Sequence, residues 1–226
     1  MNYLSHFYFD ASNSNSAYIL GIALPDLVKN HNRRWNLHPH KHEDLWNNSE
    51  VLSSIYSGWQ KHLAVDDLFH SSDYFLKYSR KISEDIRNLK LDNTHLKPFM
   101  VGHIGLELIL DTLLIKNKII DAKVFYKHLE NCQVNDIEQF IYLNGISDAA
   151  EFRTFYQRFK DVQYLLSYKS NDSIVYALNR IQYRLSGSFL NEKDTIILQD
   201  AIANSMNYIE QNYLTVFEEI EWRLKK

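Results

Sequence analysis

The stretch HIGLELILDTLLI, residues 103–115, predicts an α-helix that is apolar on nearly every side. A helix of this composition is normally buried in a protein core. His103, Glu107 and Asp111 nevertheless interrupt it at four-residue intervals, which places them along one face. Because a buried carboxylate is costly unless it is paired or bound to a cation, the stretch predicts a core helix whose polar face needs a partner.

A second stretch, HLAVDDLFH at residues 62–70, repeats this spacing with His62, Asp66 and His70. One interpretation is a solvated helix face, on which pairs four residues apart contribute only about 0.2–0.5 kcal/mol. The other is a site, because imidazole and carboxylate together suit Mn, Fe, Zn or Mg, and helical bundles build metal sites from facing helices. We therefore expect the two polar faces to meet across a metal ion.

The rest of the chain also has helical periodicity. Apolar residues recur at three- and four-residue spacing, and only 6 Gly and 3 Pro occur among 226 residues. No linker or repeat divides the sequence, which predicts a single all-α domain, a helical bundle over residues 1–226 with a polar connection at 30–48. The predicted helices cover residues 17–29, 49–70, 73–88, 97–116, 121–131, 149–166, 172–186 and 192–224.

Composition and charge limit the functional classes. The formal net charge is -3, so the chain lacks the overall basic field that non-specific nucleic-acid binding needs. Cys132 is the only cysteine, which excludes an internal disulfide and a Cys-rich zinc site. The first residues lack the basic region and the long apolar run that are typical of a signal peptide, and no stretch reaches the roughly 18 uncharged apolar residues of a membrane span. We expect a cytoplasmic protein without a membrane span.

Four motifs occur in an order that is similar to that of a known family. They are MNYLSHFYF (1–9), LGIALPDLVKN (20–30), GWQKHLAVDDLF (58–69) and HIGLELILD (103–111). Together they resemble the acyl carrier protein phosphodiesterase family, a divergent branch of the HD-domain-like metal phosphohydrolases. The later stretches LNRIQYRL and YLTVFEEI also look like the ending of that family, so the resemblance covers most of the chain.

The resemblance implies an HD-domain-like helical fold and a divalent metal, typically Mn, with Fe, Zn and Mg as alternatives. The implied metal ligands are His6, His62, Asp66, Glu107 and Asp111. The resemblance also implies catalytic roles for Asp26, His70 and His103. Asp26 would be a ligand or would orient one, and His70 and His103 would be further ligands or the acid that protonates the leaving serine oxygen.

The activity that the resemblance implies belongs to fatty acid biosynthesis. It is hydrolysis of the phosphodiester that joins 4'-phosphopantetheine to a serine of holo-acyl carrier protein. Because that partner is acidic, its docking surface on this chain should be basic, and Arg33, Arg34 and Arg184 are the candidates, although each also fits an ordinary solvated face. The oligomeric state is left open.

Two departures from the family pattern keep other functions open. Leu63 stands where the family has an Arg, and Phe69 and His70 stand where it has Thr-Asp. The metal-ligand types survive, whereas an Arg suited to phosphate does not. The alternatives are a metal-dependent hydrolase of another phosphoester, phospholipase C-like or acting on nucleotides, and a helical binding module that has lost catalysis.

Overall fold

The computed structural model describes residues 1–46, 49–92, 95–147 and 149–226, and within these ranges it contains α-helices and short 3₁₀-helices but no β-strand. The predicted all-α class is therefore confirmed, while the single domain and its HD-domain-like arrangement stay predictions. The α-helices α1 to α12 are Tyr3–Tyr8, Ser16–His31, Glu43–Trp46, Glu50–His70, Asp73–Arg87, Pro98–Lys116, Ala122–Asn131, Val134–Leu143, Ala150–Val162, Asn171–Ser186, Glu192–Glu210 and Leu214–Leu224.

The helices form two compact units. One unit consists of Met1–Ser5, Asp67–Ile119 and Ser167–Lys226, and we call it the α6 unit. The other consists of His6–Asp66 and Ile120–Leu166, and we call it the α2 unit. Helices α1 and α4 each contribute residues to both units, because a unit boundary falls inside each of them.

In the α2 unit, helices α2 and α4 cross at two glycines. A Cβ added to Gly21 would lie 2.1 Å from the carbonyl oxygen of Ile55, and one added to Gly58 would lie 2.1 Å from the carbonyl oxygen of Tyr18. Neither position therefore has space for even a methyl group. This close approach lets His62, one turn beyond Gly58, reach the backbone of α2.

In the α6 unit, the apolar helix α6 packs against α5, α10 and α11. A Cβ on Gly102 would lie 2.1 Å from the hydroxyl oxygen of Ser83, so α5 and α6 are also in close contact. Most apolar side chains of α6 are buried, as the sequence predicted, although Phe99 near its start is 67% exposed. The buried ones include Leu106, Leu108, Ile109, Leu110, Leu113 and Leu114.

Helix α6 is long and apolar enough to cross a membrane by length and composition alone, the one such helix in the part of the chain that the structure describes. Within the structure, 67% of its most apolar window is buried. The core helix of a soluble protein passes the same test, and α6 also contains His103, Glu107 and Asp111. The absence of a membrane span therefore stays a prediction.

Several helix boundaries differ from those that the sequence predicted. Helices α1, α3 and α8 lie where no helix was predicted. Helix α3 and the 3₁₀-helix Pro39–Lys41 both lie within the predicted connection 30–48. Asn47 and Asn48, at the end of that connection, lie outside the described residues. Helix α8 buries Ile137, Phe140 and Ile141, a spacing that is helical but too short to be decisive on its own.

Two long predicted helices are interrupted. The predicted helix 149–166 is α9 followed by a 3₁₀-helix, Tyr164–Ser167, because Gln163 adopts a left-handed conformation with φ 47° and ends α9. The predicted helix 192–224 is divided into α11 and α12. At the break, the side chain of Asn212 and the hydroxyl of Tyr78 lie within hydrogen-bonding distance, with contacts of 2.8 and 3.0 Å. Long-range contacts of this kind leave no signature in local periodicity.

Candidate functional site

His70, His103 and Glu107 converge in the α6 unit and form the group that we call the open cluster. His70 is the last residue of α4, and His103 and Glu107 lie one turn apart in α6. The Nε2 atoms of the two imidazoles are 3.1 Å apart, and each lies near Oε1 of Glu107, at 3.3 Å from His70 and 3.1 Å from His103. Three potential ligand atoms thus form a nearly equilateral triangle.

The dimensions of this triangle fit a single metal ion. Two atoms that bind one ion at about 2.0–2.2 Å lie about 2.8–3.6 Å apart when their angle at the ion is between about 90° and 110°. All three measured separations fall in that range. The cluster also faces solvent, because the side chains of His70 and His103 are 32% and 42% exposed. Space for a water or a substrate therefore remains on one side.

The open cluster is held by aromatic packing on its other side. The ring of Phe75 meets the rings of His70 and His103 edge-on, with centroids 4.8 and 5.0 Å apart. The ring of Phe69 packs against His70 in the same way at 5.2 Å. These contacts restrict the imidazoles to the orientations in which their Nε2 atoms face Glu107.

Glu107 supplies the negative charge of the open cluster. Burial alone would raise the pKa of its carboxyl, but the positive amino group of Met1, 3.4 Å away, and the hydrogen bonds from His103 and His70 outweigh that effect. Together they hold the pKa of Glu107 well below its usual range. The side chain is therefore a carboxylate at neutral pH, the form that binds a cation.

His6, His62 and Asp66 converge in the α2 unit and form the group that we call the buried cluster. Nε2 of His6 lies 3.2 Å from one carboxylate oxygen of Asp66, and Nε2 of His62 lies 3.7 Å from the other. The two imidazole rings are stacked, with centroids 3.8 Å apart. One ligand atom from each residue lies within 4.8 Å of the other two, so this group could also hold a metal ion.

The orientation of His62 is set by the crossing of α2 and α4. Its Nδ1 lies 2.8 Å from the carbonyl oxygen of Ile22, to which it donates when it carries the proton. That bond leaves a lone pair on Nε2, the atom directed at Asp66, in the manner of metal-binding histidines. Burial and the adjacent imidazole of His6 hold the pKa of His62 well below its usual range, so it is neutral at pH 7.

The pKa of Asp66 is also lowered. Burial alone would raise the pKa of its carboxyl, but the hydrogen bond with His6 and the charges nearby lower that pKa far below its usual range. The buried cluster thus combines a carboxylate with imidazoles that are 1% and 3% exposed, for His6 and His62 respectively. It has the same donor types as the open cluster, but its imidazoles are buried, whereas the side chain of Asp66 is 31% exposed.

Asp111 has a separate environment, although it follows His103 and Glu107 at the same four-residue spacing on α6. It is fully buried, and its two oxygens accept hydrogen bonds from Asn2, Leu4 and Ser5 at the start of α1. Burial raises the pKa of the Asp111 carboxyl to about 6, although the bonds from Ser5 and Leu4 oppose that shift.

The remaining predicted site residues lie outside the two clusters. Asp26 is in α2 and is partly exposed. Arg33 and Arg34 are exposed in the turn after α2, within the α2 unit. Arg184 is exposed near the end of α10, within the α6 unit.

The structure groups the predicted ligands differently from the two helix faces that the sequence predicted. His62 and Asp66 lie with His6, whereas His70 of the same helix face lies with His103 and Glu107. No residue pattern indicated the carbonyl of Ile22, which orients His62, because a backbone acceptor has no residue signature. The bonds of Asn2 and Ser5 to Asp111 were not predicted either, and the position of these two polar residues before and within a short helix is the signal that could have indicated capping.

The comparisons with known proteins identify no relative: no family model matches the sequence, no curated protein matches it, and no solved structure matches the fold. The resemblance to acyl carrier protein phosphodiesterases therefore stays a prediction. The structure itself contains His/Asp/Glu groups that could hold a metal ion.

Proposed function

We propose that this protein is a divalent-metal-dependent phosphoester hydrolase whose reaction takes place at the open cluster. The observation that carries the proposal is the triangle of His70, His103 and Glu107, with sides of 3.1–3.3 Å and one face open to solvent. A purely structural cluster would not need this exposure. Three protein ligands with a free side are typical of catalytic metal sites, whereas structural sites are closed.

The residues of the open cluster have complementary tasks. His70, His103 and Glu107 would hold the ion, and Mn, Fe, Zn and Mg are all compatible with two imidazoles and one carboxylate. A bound ion of this kind supplies Lewis acidity toward a phosphoryl oxygen and lowers the pKa of water. The low pKa of Glu107 keeps its charge in place, and the ring of Phe75 packs against both imidazoles.

The substrate that we propose is holo-acyl carrier protein, from which the enzyme would release 4'-phosphopantetheine. This finer assignment is supported by the order of the motifs around His6, Asp26, His62 and Glu107. The exposed Arg33, Arg34 and Arg184 are candidate contacts for an acidic partner.

The test is an intact-mass assay. Purified protein is incubated with holo-acyl carrier protein and Mn, and the carrier is weighed before and after, with and without chelator. We expect loss of the phosphopantetheine mass, abolished by chelator and by His103→Ala. Asp67→Asn is the matched control, because Asp67 is an exposed acidic residue of α4 that belongs to neither cluster.

Other outcomes would overturn parts of the proposal. Metal-dependent cleavage of bis(p-nitrophenyl) phosphate without any change in the carrier would replace the substrate with another phosphoester. Stoichiometric metal without cleavage of either compound would overturn the enzymatic function and favour a metal-binding module. Activity that survives His103→Ala unchanged would remove the open cluster from the reaction.

A further inference from the structure

The carboxylate of Asp111 is saturated with hydrogen bonds. Oδ1 accepts from the amide and the hydroxyl of Ser5, both at 2.7 Å, and Oδ2 accepts from Asn2 Nδ2 at 2.8 Å and from the amide of Leu4 at 3.2 Å. A carboxylate has about four acceptor positions, two on each oxygen. All of them are used by the start of α1, so no lone pair is left for a metal ion.

These bonds satisfy amides at the start of α1. The amides of Leu4 and Ser5 belong to the first turn of the helix, where amides have no partner within the helix. Helix α1 has six residues and no acidic residue in its first turn, and so short a helix is not stable by itself. Asp111 supplies both the missing acceptors and the negative charge that favours a helix N-terminus.

The residue that follows Ser5 in α1 is His6. Its imidazole is 1% exposed, stacks on His62 at 3.8 Å and directs Nε2 toward Asp66 at 3.2 Å. Since Ser5 is bonded to Asp111 through both its backbone and its side chain, the position of the next residue along the helix is restricted as well.

We propose that Asp111 is the anchor of α1 and a positioning residue for His6, and that it is not a metal ligand. One of the two readouts of this inference, the affinity for Mn, rests on the metal binding of the proposed function. The other readout, the order of α1, depends on the hydrogen bonds alone.

The first readout is amide hydrogen exchange of α1, together with the NMR signals of the His6 imidazole. We expect Asp111→Ala to increase exchange at Leu4 and Ser5 by at least about tenfold and to shift the His6 signals, because the caps are lost. Ser5→Ala and Asn2→Ala should act in the same direction with smaller effects. The double variant Asp111→Ala/Ser5→Ala should be no worse than Asp111→Ala alone, since both remove one network.

The control for this readout is Thr112→Val. Thr112 is the next residue of α6, is equally buried, and donates its hydroxyl to the carbonyl of Leu108 in the same helix. The substitution removes a buried polar group of similar size without touching α1, so the exchange rates of Leu4 and Ser5 should not change.

The second readout is the affinity for Mn. We expect Asp111→Ala to weaken binding at the buried cluster by about 10- to 100-fold, the effect that loss of a supporting residue usually has on a metal site. Asp111→Asn keeps one acceptor oxygen for Ser5, although its amide is a poor metal ligand. It should therefore recover much of the affinity, and it remains testable if Asp111→Ala fails to fold.

Two results would contradict the proposed role of Asp111 as the anchor of α1. One is complete loss of metal in Asp111→Asn while the exchange of α1 is unchanged, which would make Asp111 a ligand. The other is unchanged exchange at Leu4 and Ser5 in Asp111→Ala. If the unmodified protein binds no metal at all, the proposed function fails, while the exchange measurement still decides whether Asp111 anchors α1.

Discussion

The open cluster and the buried cluster have the same donor set, two imidazoles and one carboxylate, but their surroundings differ. In the open cluster the imidazoles are 32% and 42% exposed, and in the buried cluster they are 1% and 3% exposed. The open cluster is arranged by aromatic edges, whereas the buried cluster is arranged by a backbone carbonyl and a stacked ring pair. The same donor types therefore occur in two environments, one with imidazoles accessible to solvent and one with imidazoles enclosed by the protein.

The largest effect is expected at the helix crossing that supports the buried cluster. Gly58→Ala should destabilise the protein by about 3 kcal/mol, because the new Cβ would overlap the carbonyl oxygen of Tyr18 and separate α2 from α4. Gly105→Ala is the control near the open cluster, where a Cβ would lie 3.7 Å from Ile202 in ordinary contact. It should be neutral or stabilising by up to about 1 kcal/mol, because alanine favours helix.

Urea unfolding of the two glycine variants measures these changes in the free energy of unfolding. If Gly58→Ala proves as stable as Gly105→Ala, the close crossing of α2 and α4 does not exist in solution.

A second prediction concerns the charge of the open cluster. Glu107→Gln should weaken Mn binding there by more than about 100-fold, since loss of a mere supporting residue costs about 10- to 100-fold. Glu84→Gln, at an exposed position of α5, should leave binding unchanged. Electron paramagnetic resonance of Mn titrations measures both, and equal affinities in the two variants would contradict the assignment of Glu107.

A third prediction compares stability without metal. His62→Ala should cost about 2 kcal/mol, because it opens a cavity and leaves the carbonyl of Ile22 without this donor. His103→Ala should cost less than about 1 kcal/mol, because the side chain is 42% exposed. Denaturant unfolding in the presence of chelator separates the two values. A larger loss for His103→Ala would reverse the assignment of buried and open clusters.

The smallest effect is a pH dependence that distinguishes Asp111 from the cluster carboxylates. Its folded pKa of about 6 lies above the usual 3.8, so the folded state binds more protons than the unfolded state between about pH 4 and pH 6. Its contribution to stability therefore falls as pH rises through this window, by at most about 1.4 kcal/mol per pH unit. Asp66 and Glu107 have lowered pKa values, and their contributions are lost only as pH falls below about 4.

The measurement for this prediction is the unfolding free energy of the unmodified protein minus that of Asp111→Asn, followed from pH 4 to pH 7. The difference should decrease as pH rises to about 6 and then level off. A difference that increases over this range would mean that the carboxylate of Asp111 is stabilised in the folded state.

The helical fold was largely predictable, because its signal is local. The burial of α6 follows from its composition, and α2, α5, α7 and α10 lie close to their predicted positions. Helix α1 was not predictable in this way, since its caps come from Asp111, more than one hundred residues along the chain. The break between α11 and α12 coincides with a long-range contact between Asn212 and Tyr78.

The candidate ligands were also predictable as residue types, but their partners were not. Four-residue spacing on a helix places His62, Asp66 and His70 on one face, yet it does not say which neighbour each of them meets. The structure assigns the first two to His6 and the third to His103 and Glu107. Four-residue spacing can therefore identify candidate ligands without showing which of the two clusters each one belongs to.

By itself, the sequence determined the helical class, the buried course of α6 and the set of imidazoles and carboxylates available for a metal, because periodicity and residue chemistry are local properties. The tertiary structure alone decided which of these side chains meet, which are open to solvent, and that Asp111 bonds to α1. The physical reason is that distance, burial and saturation of lone pairs depend on the packing of segments that are remote in the chain.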